Sequence, residues 1–389
     1  MPVSPPSRTR SNPKVSVRLT ALFLGILFSV LVVEGVFRLL PVAKGPTAGP
    51  INAEHPIFRF TPNSEYQWSV GWRFALVNHG RTNNAGFVND QDYDAKDPRP
   101  LLAVIGDSYV EALMLPYPET LHGRVQKFLG EQGRVYSFAA SGAPLSQYLA
   151  WADDARARYA PQGMIFVVVG NDFDESVAKY KTAPGFHHFI ENNDGGLSLQ
   201  LYDYAPTLLR KTLRHSALAR YLVSNLHADT ALKMLWQRRM RSTPAGETER
   251  YVGNTAADVA DDRLRDSERA IRAFFDELPR RTALPPGRIF FLLDGVRPEL
   301  YGSDEDLNAV NGNYFPRMRR RFMEEARSRG YSVADLQPLF IADYRKNGAR
   351  FEFSEDAHWN ALGHQVASEA IMRSRLFKAL FTNIAKPLN

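Results

Sequence analysis

The stretch LLAVIGDSYVEALML, residues 101–115, decides how the rest of the chain is read. Leu101–Ile105 is an unbroken apolar run of strand length, and Gly106-Asp107-Ser108 is turn chemistry. A strand buried on both faces, closed by a turn that presents a serine hydroxyl, is a frequent opening of an α/β sheet. Three residues occur easily by chance, so Ser108 counts as a nucleophile only if partners for it exist elsewhere.

The same alternation continues downstream. Residues 119–130 have helical spacing and end at a glycine; RVYSFAASG (134–142) is a second strand and turn; residues 146–160 form a second helix. GMIFVVVGND (163–172) is a third, β-branched strand, GRIFFLLDG (287–295) a fourth and YSVADL (331–336) a fifth. Helices are expected over 314–330 and from about Ala361 to Phe377. Strands alternating with helices predict a parallel sheet covered on both faces, with ligands at the carboxyl ends of the strands. Residues 41–100, rich in proline, asparagine and aromatics, are expected to form hairpins or loops packed on the main domain at 101–378. An excursion at about 175–286 interrupts the rhythm. It carries TLLRKTLRHSALARYLVSNL and MLWQRRMRST, basic and partly helical, read either as a solvated surface or as a lid facing anionic glycans or lipid head groups.

The first 40 residues are of another kind. Residues 1–18 hold Arg8, Arg10, Lys14 and Arg18 without an acid, and are expected to be a disordered tail. LTALFLGILFSVLVV (19–33) continues through EGVFRLL, so a span of 19–40 reaches the ~20 residues a membrane helix needs. Glu34 and Arg38, four apart, can pair near one interface. Basic residues before the span favour an inside N-terminus and an exported body. The competing reading is a cleaved signal peptide, but LLPVAKG is a poor match to a small-residue cleavage site. The expectation is a signal anchor in the cell (inner) membrane, with a C-terminal tail at 379–389 on the far side.

Composition narrows the chemistry. The chain has 389 residues, 44% hydrophobic, with a formal net charge of +6, and shows no nucleic-acid motif. It has no cysteine, which excludes disulfides, thiolate metal sites and a cysteine nucleophile. His187 and His188 lack nearby carboxylates at metal-ligand spacing, and no metal or other cofactor is expected.

Partners for Ser108 do exist. Gly142 follows the second strand and Asn171 the third, so both fall on the same sheet edge as Ser108. A backbone N–H at glycine and an asparagine amide are the donors an oxyanion needs. SEDAHWNALGH (354–364) places Asp356 and His358 just before the last helix. An imidazole takes the serine proton, and a carboxylate orients the imidazole.

GDS after the first strand, glycine after the second, GND after the third and D-x-H near the end together resemble the SGNH (GDSL-type) hydrolases. The resemblance implies a flavodoxin-like three-layer α/β/α sandwich and a serine esterase, lipase or carbohydrate deacetylase. It makes Ser108 the nucleophile and first oxyanion donor, Gly142 the second donor, Asn171 the third and His358 the base. Many members place the acid three residues before the histidine, here Glu355. The DAHW spacing looks more like the branch of membrane-anchored polysaccharide O-acetylesterases and O-acetyltransferases, so Asp356 is the expected acid and Glu355 its understudy. The implied substrate is a short acyl ester on a cell-envelope glycan. The alternatives are transfer of the acyl group to a sugar hydroxyl, working with a multi-span acyl-donor protein, and a non-catalytic glycan-binding module. Asp107 and Asp172 are expected to stabilise their loops and His364 to pack. His79, Asp294, Arg297 and Trp359 stay open between pocket and scaffold.

Overall fold

A computed structural model describes residues 13–226 and 259–381. MLWQRRMRST, residues 1–12 of the expected N-terminal tail and most of the C-terminal tail lie outside the described residues. Strands are labelled in chain order: β1 Glu65–Val70, β2 Leu76–Arg81, β3 Leu101–Gly106, β4 Arg134–Ala139, β5 Gly163–Val168, β6 His187–Glu191, β7 Leu197–Leu201, β8 Ile289–Leu293 and β9 Ser332–Asp335.

β3, β4, β5, β8 and β9 are the five strands expected from the sequence, and they form one parallel sheet in the order β4-β3-β5-β8-β9. Numbered along the chain this is 2-1-3-4-5, the flavodoxin-like order, whose switch point lies between β3 and β5. Period-2 alternation divides the core. Leu101, Ala103, Ile105, Met164, Phe166 and Val168 pack into one hydrophobic layer, while Leu102, Val104, Ile165 and Val167 pack into the other. Helices Leu145–Tyr159, Asp261–Thr282 and Tyr314–Ser328 cover the first face. Helices Leu121–Leu129, Leu336–Asn347 and Ala361–Arg373 cover the second.

Three elements differ from the sequence reading. Asp261–Thr282, inside the expected excursion, is the crossover helix between β5 and β8; Leu264, Ile271, Phe274, Phe275 and Leu278 fill its buried stripe. The last helix stops at Ser374, whose hydroxyl accepts the Phe377 N–H (3.1 Å) and caps a second short helix, Arg375–Leu380. The helix Leu336–Asn347 follows β9 directly, capped by Asp335. The true excursion holds the antiparallel hairpin β6–β7 and the short helices Leu208–Leu213 and Ala217–Arg220. In the lead-in, β1 and β2 pair antiparallel, and buried Asn78 of β2 donates to the Leu113 and Leu115 carbonyls (2.9 and 2.7 Å).

The N-terminal helix runs Pro13–Leu39, and its Val17–Leu39 portion is long and apolar enough to cross a membrane. At 1.5 Å per residue those 23 residues extend ~35 Å, beyond the ~30 Å hydrocarbon thickness. Proline suits a first helical turn because its missing N–H would have no partner there, so the helix begins within the segment expected to be tail. Glu34 pairs with Arg38 (2.8 Å), as the spacing predicts. It also accepts the Ala217 and Leu218 N–H groups and the Ser216 hydroxyl, which locks the excursion to this helix.

Candidate active site

The site is assembled at the carboxyl ends of β3, β4 and β5, beside the switch point. Asp107 ends the β3 turn and caps the helix Ser108–Glu111, its carboxylate accepting the Tyr109 N–H at 3.0 Å. Ser108 is 4% exposed, and its hydroxyl lies 3.3 Å from Asp107 Oδ2. Burial pushes the Asp107 carboxyl up to about 6, opposed by the Tyr109 N–H and by the charge of His358.

His358 enters from the loop before the last core helix. Its Nδ1 is hydrogen-bonded to Asp356 Oδ1, and the same oxygen accepts the His358 N–H at 2.9 Å. One carboxylate thus fixes both backbone and ring, and leaves the other nitrogen available. That nitrogen, Nε2, is buried and has no hydrogen-bond partner among the described residues. The ring packs on Tyr109, the residue after Ser108, at 5.0 Å between centroids. Glu355 is exposed, accepts from the Ser354 hydroxyl and makes no bond to His358. Of the two acids considered, only Asp356 is beside the imidazole. The Ser108 hydroxyl is turned toward Asp107 rather than His358; such contacts often tighten only when substrate is bound.

The expected oxyanion donors besides Ser108 follow the two strands that flank β3. Gly142 follows β4 with φ +77°, a backbone region costly for other residues. Neither the Ser108 nor the Gly142 N–H is donated to a protein acceptor among the described residues. Asn171 follows β5, and its Nδ2 gives one hydrogen bond to Glu175 (3.0 Å), which leaves a second N–H on that amide. Glu175 in turn is paired with Lys181, whose ammonium also reaches the Gly142 carbonyl (3.3 Å). The Lys181–Glu175 pair therefore braces two of the three expected donor positions.

Sequence reasoning missed Glu111. It is buried on the Ser108 helix, accepts the Ser141 N–H at 2.8 Å and is hydrogen-bonded by the Ser141 hydroxyl. Burial pushes its carboxyl up to about 7. The available signal was an acid in an otherwise apolar YVEALML run one turn past Ser108. Glu175 and Lys181 were missed as well, because their roles need β4, β5 and a loop brought together.

Of the open residues, Arg297, Asp294 and Trp359 form scaffold. Arg297 is 2% exposed; it donates to the Tyr109 hydroxyl (2.6 Å), to Asp294 (2.8 Å) and to the Ala357 carbonyl (3.0 Å), between Asp356 and His358. Trp359 is fully buried and donates to Asp294 (2.9 Å), so it packs rather than walls a pocket. Asp172 accepts from Tyr148 and from the Val169 N–H, holding its loop. His364 accepts the Leu121 N–H at 3.0 Å, and burial holds its pKa well below the usual value. His79 is exposed on β2. His188 sits between the Glu175 carbonyl and the Ala183 N–H, and no cluster able to hold a metal occurs among the described residues.

No family model matches the chain, and no curated protein matches it. Several solved structures are similar. One is TesA, with 13% identity over 72% of this chain and 99% of that one, at a TM-score of 0.35. Another is Axe2, an acetylxylan esterase from Geobacillus stearothermophilus, with 12% identity over 72% and 94% and a TM-score of 0.38. A third is a member of the lipolytic protein G-D-S-L family from Veillonella parvula, with 11% identity over 73% and 98% and a TM-score of 0.33.

Proposed function

We propose that this chain is a serine esterase of the SGNH type that works by acyl transfer through Ser108. The observation that carries the reading is the Asp356–His358 pair, whose Nε2 has no partner among the described residues and whose ring packs on Tyr109, the residue after Ser108. His358 takes the Ser108 proton as the hydroxyl attacks an ester carbonyl, and returns it to the leaving alcohol. Asp356 holds the ring and stabilises the imidazolium. The N–H groups of Ser108 and Gly142 and the Asn171 amide stabilise the oxyanion. Water then attacks the acyl-enzyme with His358 as base.

Short acyl esters on a cell-envelope glycan are the proposed substrates, with Pro13–Leu39 as a membrane anchor and the body on the periplasmic or extracellular side. Basic Lys14 and Arg18 before the apolar run support that orientation. A second reading, transfer of the acyl group to a sugar hydroxyl, is favoured by the 4% exposure of Ser108, since a shielded acyl-enzyme resists water. The donor would then be acyl groups delivered by a multi-span membrane protein.

The test uses the full chain in detergent with p-nitrophenyl acetate, comparing wild type with Ser108→Ala and His358→Ala. Loss of at least ~1,000-fold in kcat for both, with folding retained, supports the reading. Adding acetyl-acceptor oligosaccharide and finding acetylated sugar by mass spectrometry would assign transfer over hydrolysis. Turnover that persists in folded Ser108→Ala would remove the proposal.

A further inference from the structure

Beside the last turn of the N-terminal helix, the lead-in and the 207–226 segment enclose a cavity of about 570 Å³. Lys44, Arg210, Arg214 and Arg220 line it, and no carboxylate does among the described residues. Phe58, Phe186 and Tyr204 form its apolar walls. Arg210 and Arg214 make no ion pair or side-chain hydrogen bond among the described residues; Arg210 leans over the Tyr204 ring at 5.7 Å. Arg220 donates to the Ala43 carbonyl (3.0 Å), but its Nε is buried without a partner. Burial and neighbouring like charge hold the pKa of Arg214 and of Arg220 below the usual guanidinium value. Glu34, the acid that bears on Arg220, is already engaged by Arg38, Ser216, Ala217 and Leu218. Arg210 and Arg214 are exposed and Arg220 is half-buried; cations clustered without a counter-ion repel one another and attract an anion that can bridge them.

The position of the cavity says where that anion comes from. Tyr221 stacks on Phe37 of the apolar helix at 4.3 Å, and Arg38 donates to the His215 carbonyl (3.3 Å), so the segment is pinned where the apolar span ends. Leu208 is 81% exposed and Leu39 88%, while Leu209, Leu213 and Val223, at 69, 46 and 48%, also line the cavity. From Tyr204 to Leu226 the chain carries Arg210, Lys211, Arg214 and Arg220 and no acid. Exposed leucines mixed with cations, at the end of a membrane-length helix, suit an interface of lipid tails and anionic head groups. Ser141, the residue that Glu111 holds next to Gly142, also lines the cavity.

We propose that this cavity is a binding site for the anionic, phosphate-type head group of an amphiphile whose chains remain in the bilayer. Arg210 and Arg214 supply the paired N–H forks that match phosphate oxygens. Through Ser141 the bound head group lies next to the acyl-transfer loop. That last link rests on the esterase reading; the binding itself does not.

The experiment uses the full chain in neutral detergent micelles and fluorescent phosphatidylglycerol, with phosphatidylcholine of the same chains as the uncharged reference. Wild type should favour phosphatidylglycerol by at least about tenfold, and the R210Q/R214Q variant should lose about tenfold of that affinity. Arg214→Lys keeps the charge but not the fork and should lose severalfold; it serves if the double variant fails to fold. Lys211→Gln, outside the cavity, should bind as wild type. Ser108→Ala should bind as wild type even when turnover is gone, which separates this proposal from the catalytic one. Equal binding of both lipids, or a Lys211→Gln loss equal to that of the double variant, would overturn the site. Displacement by micromolar inorganic pyrophosphate would assign the cavity to soluble phosphate and overturn the lipid source.

Discussion

Glu111 holds the Ser141 N–H at 2.8 Å, and so ties the helix that begins at Ser108 to the loop that presents Gly142. The proposed nucleophile, Ser108, and the proposed second oxyanion donor, Gly142, are thereby linked through one buried carboxyl group. A carboxyl that is buried and raised to about 7 makes a definite statement about pH. Unfolded, it titrates near 4.5, so between about 4.5 and 7 the folded state binds more protons. Its contribution to stability is therefore full below 4.5 and falls as pH rises to 7, by roughly 3 kcal/mol.

Glu111→Gln keeps an acceptor for Ser141 and removes the titration. Thermal melts between pH 4.5 and 8 should show the variant gaining on wild type as pH rises, with the gap levelling off above about 7. A constant gap across that range would mean that Glu111 does not titrate there.

The choice of acid can be read from rates. Asp356→Asn should lower kcat by at least ~100-fold, because an amide can hold the wrong imidazole tautomer. Glu355→Gln, at an exposed position, should stay within about twofold of wild type. The opposite ranking would make Glu355 the orienting acid.

Arg297 supports the histidine loop from behind. Arg297→Ala leaves Asp294 without its guanidinium and frees the Ala357 carbonyl, at a cost of about 3–5 kcal/mol. Chemical denaturation should show that loss, and kcat should fall with it. Arg297→Lys, which restores charge but not the fork, should recover only part of both.

Gly142→Ala tests the loop backbone. The new Cβ would meet Lys181 Nζ at 3.6 Å, an ordinary contact, so space is not the obstacle. The φ of +77° is, at ~1–2 kcal/mol. We expect that penalty in the melting temperature, together with about a tenfold lower kcat as the N–H swings off the oxyanion position. Unchanged kcat would remove Gly142 as a donor.

Lys181→Met should disturb Asn171 without touching it. With its ammonium gone, Glu175 is free to turn, and the amide it holds loses its brace. A fall in kcat that Asn171→Ala does not deepen would place both residues on one line of action.

Much of this was legible in one dimension. Short apolar runs such as LLAVIG and MIFVVV, bounded by glycine turns, read as buried strands, and their alternation with amphipathic helices admits few architectures besides a covered parallel sheet. The apolar stretch 19–40 and the short motifs around Ser108, Gly142, Asn171 and His358 are local signals as well, because turns and caps depend on neighbouring residues. What the tertiary structure alone decided involves distant partners. Asp356 and Glu355 are adjacent in sequence, and only the loop conformation turns one to His358 and the other to solvent. Glu111 meets Ser141 across 30 residues, Arg297 meets Ala357 across 60, and Glu34 meets Ala217 across 183. Such pairs leave no periodicity, since each is chosen by which strand ends the sheet order brings together. The helix Asp261–Thr282 shows the same limit: its apolar stripe is plain, but its place in the core follows from the β5-to-β8 crossover that it must complete.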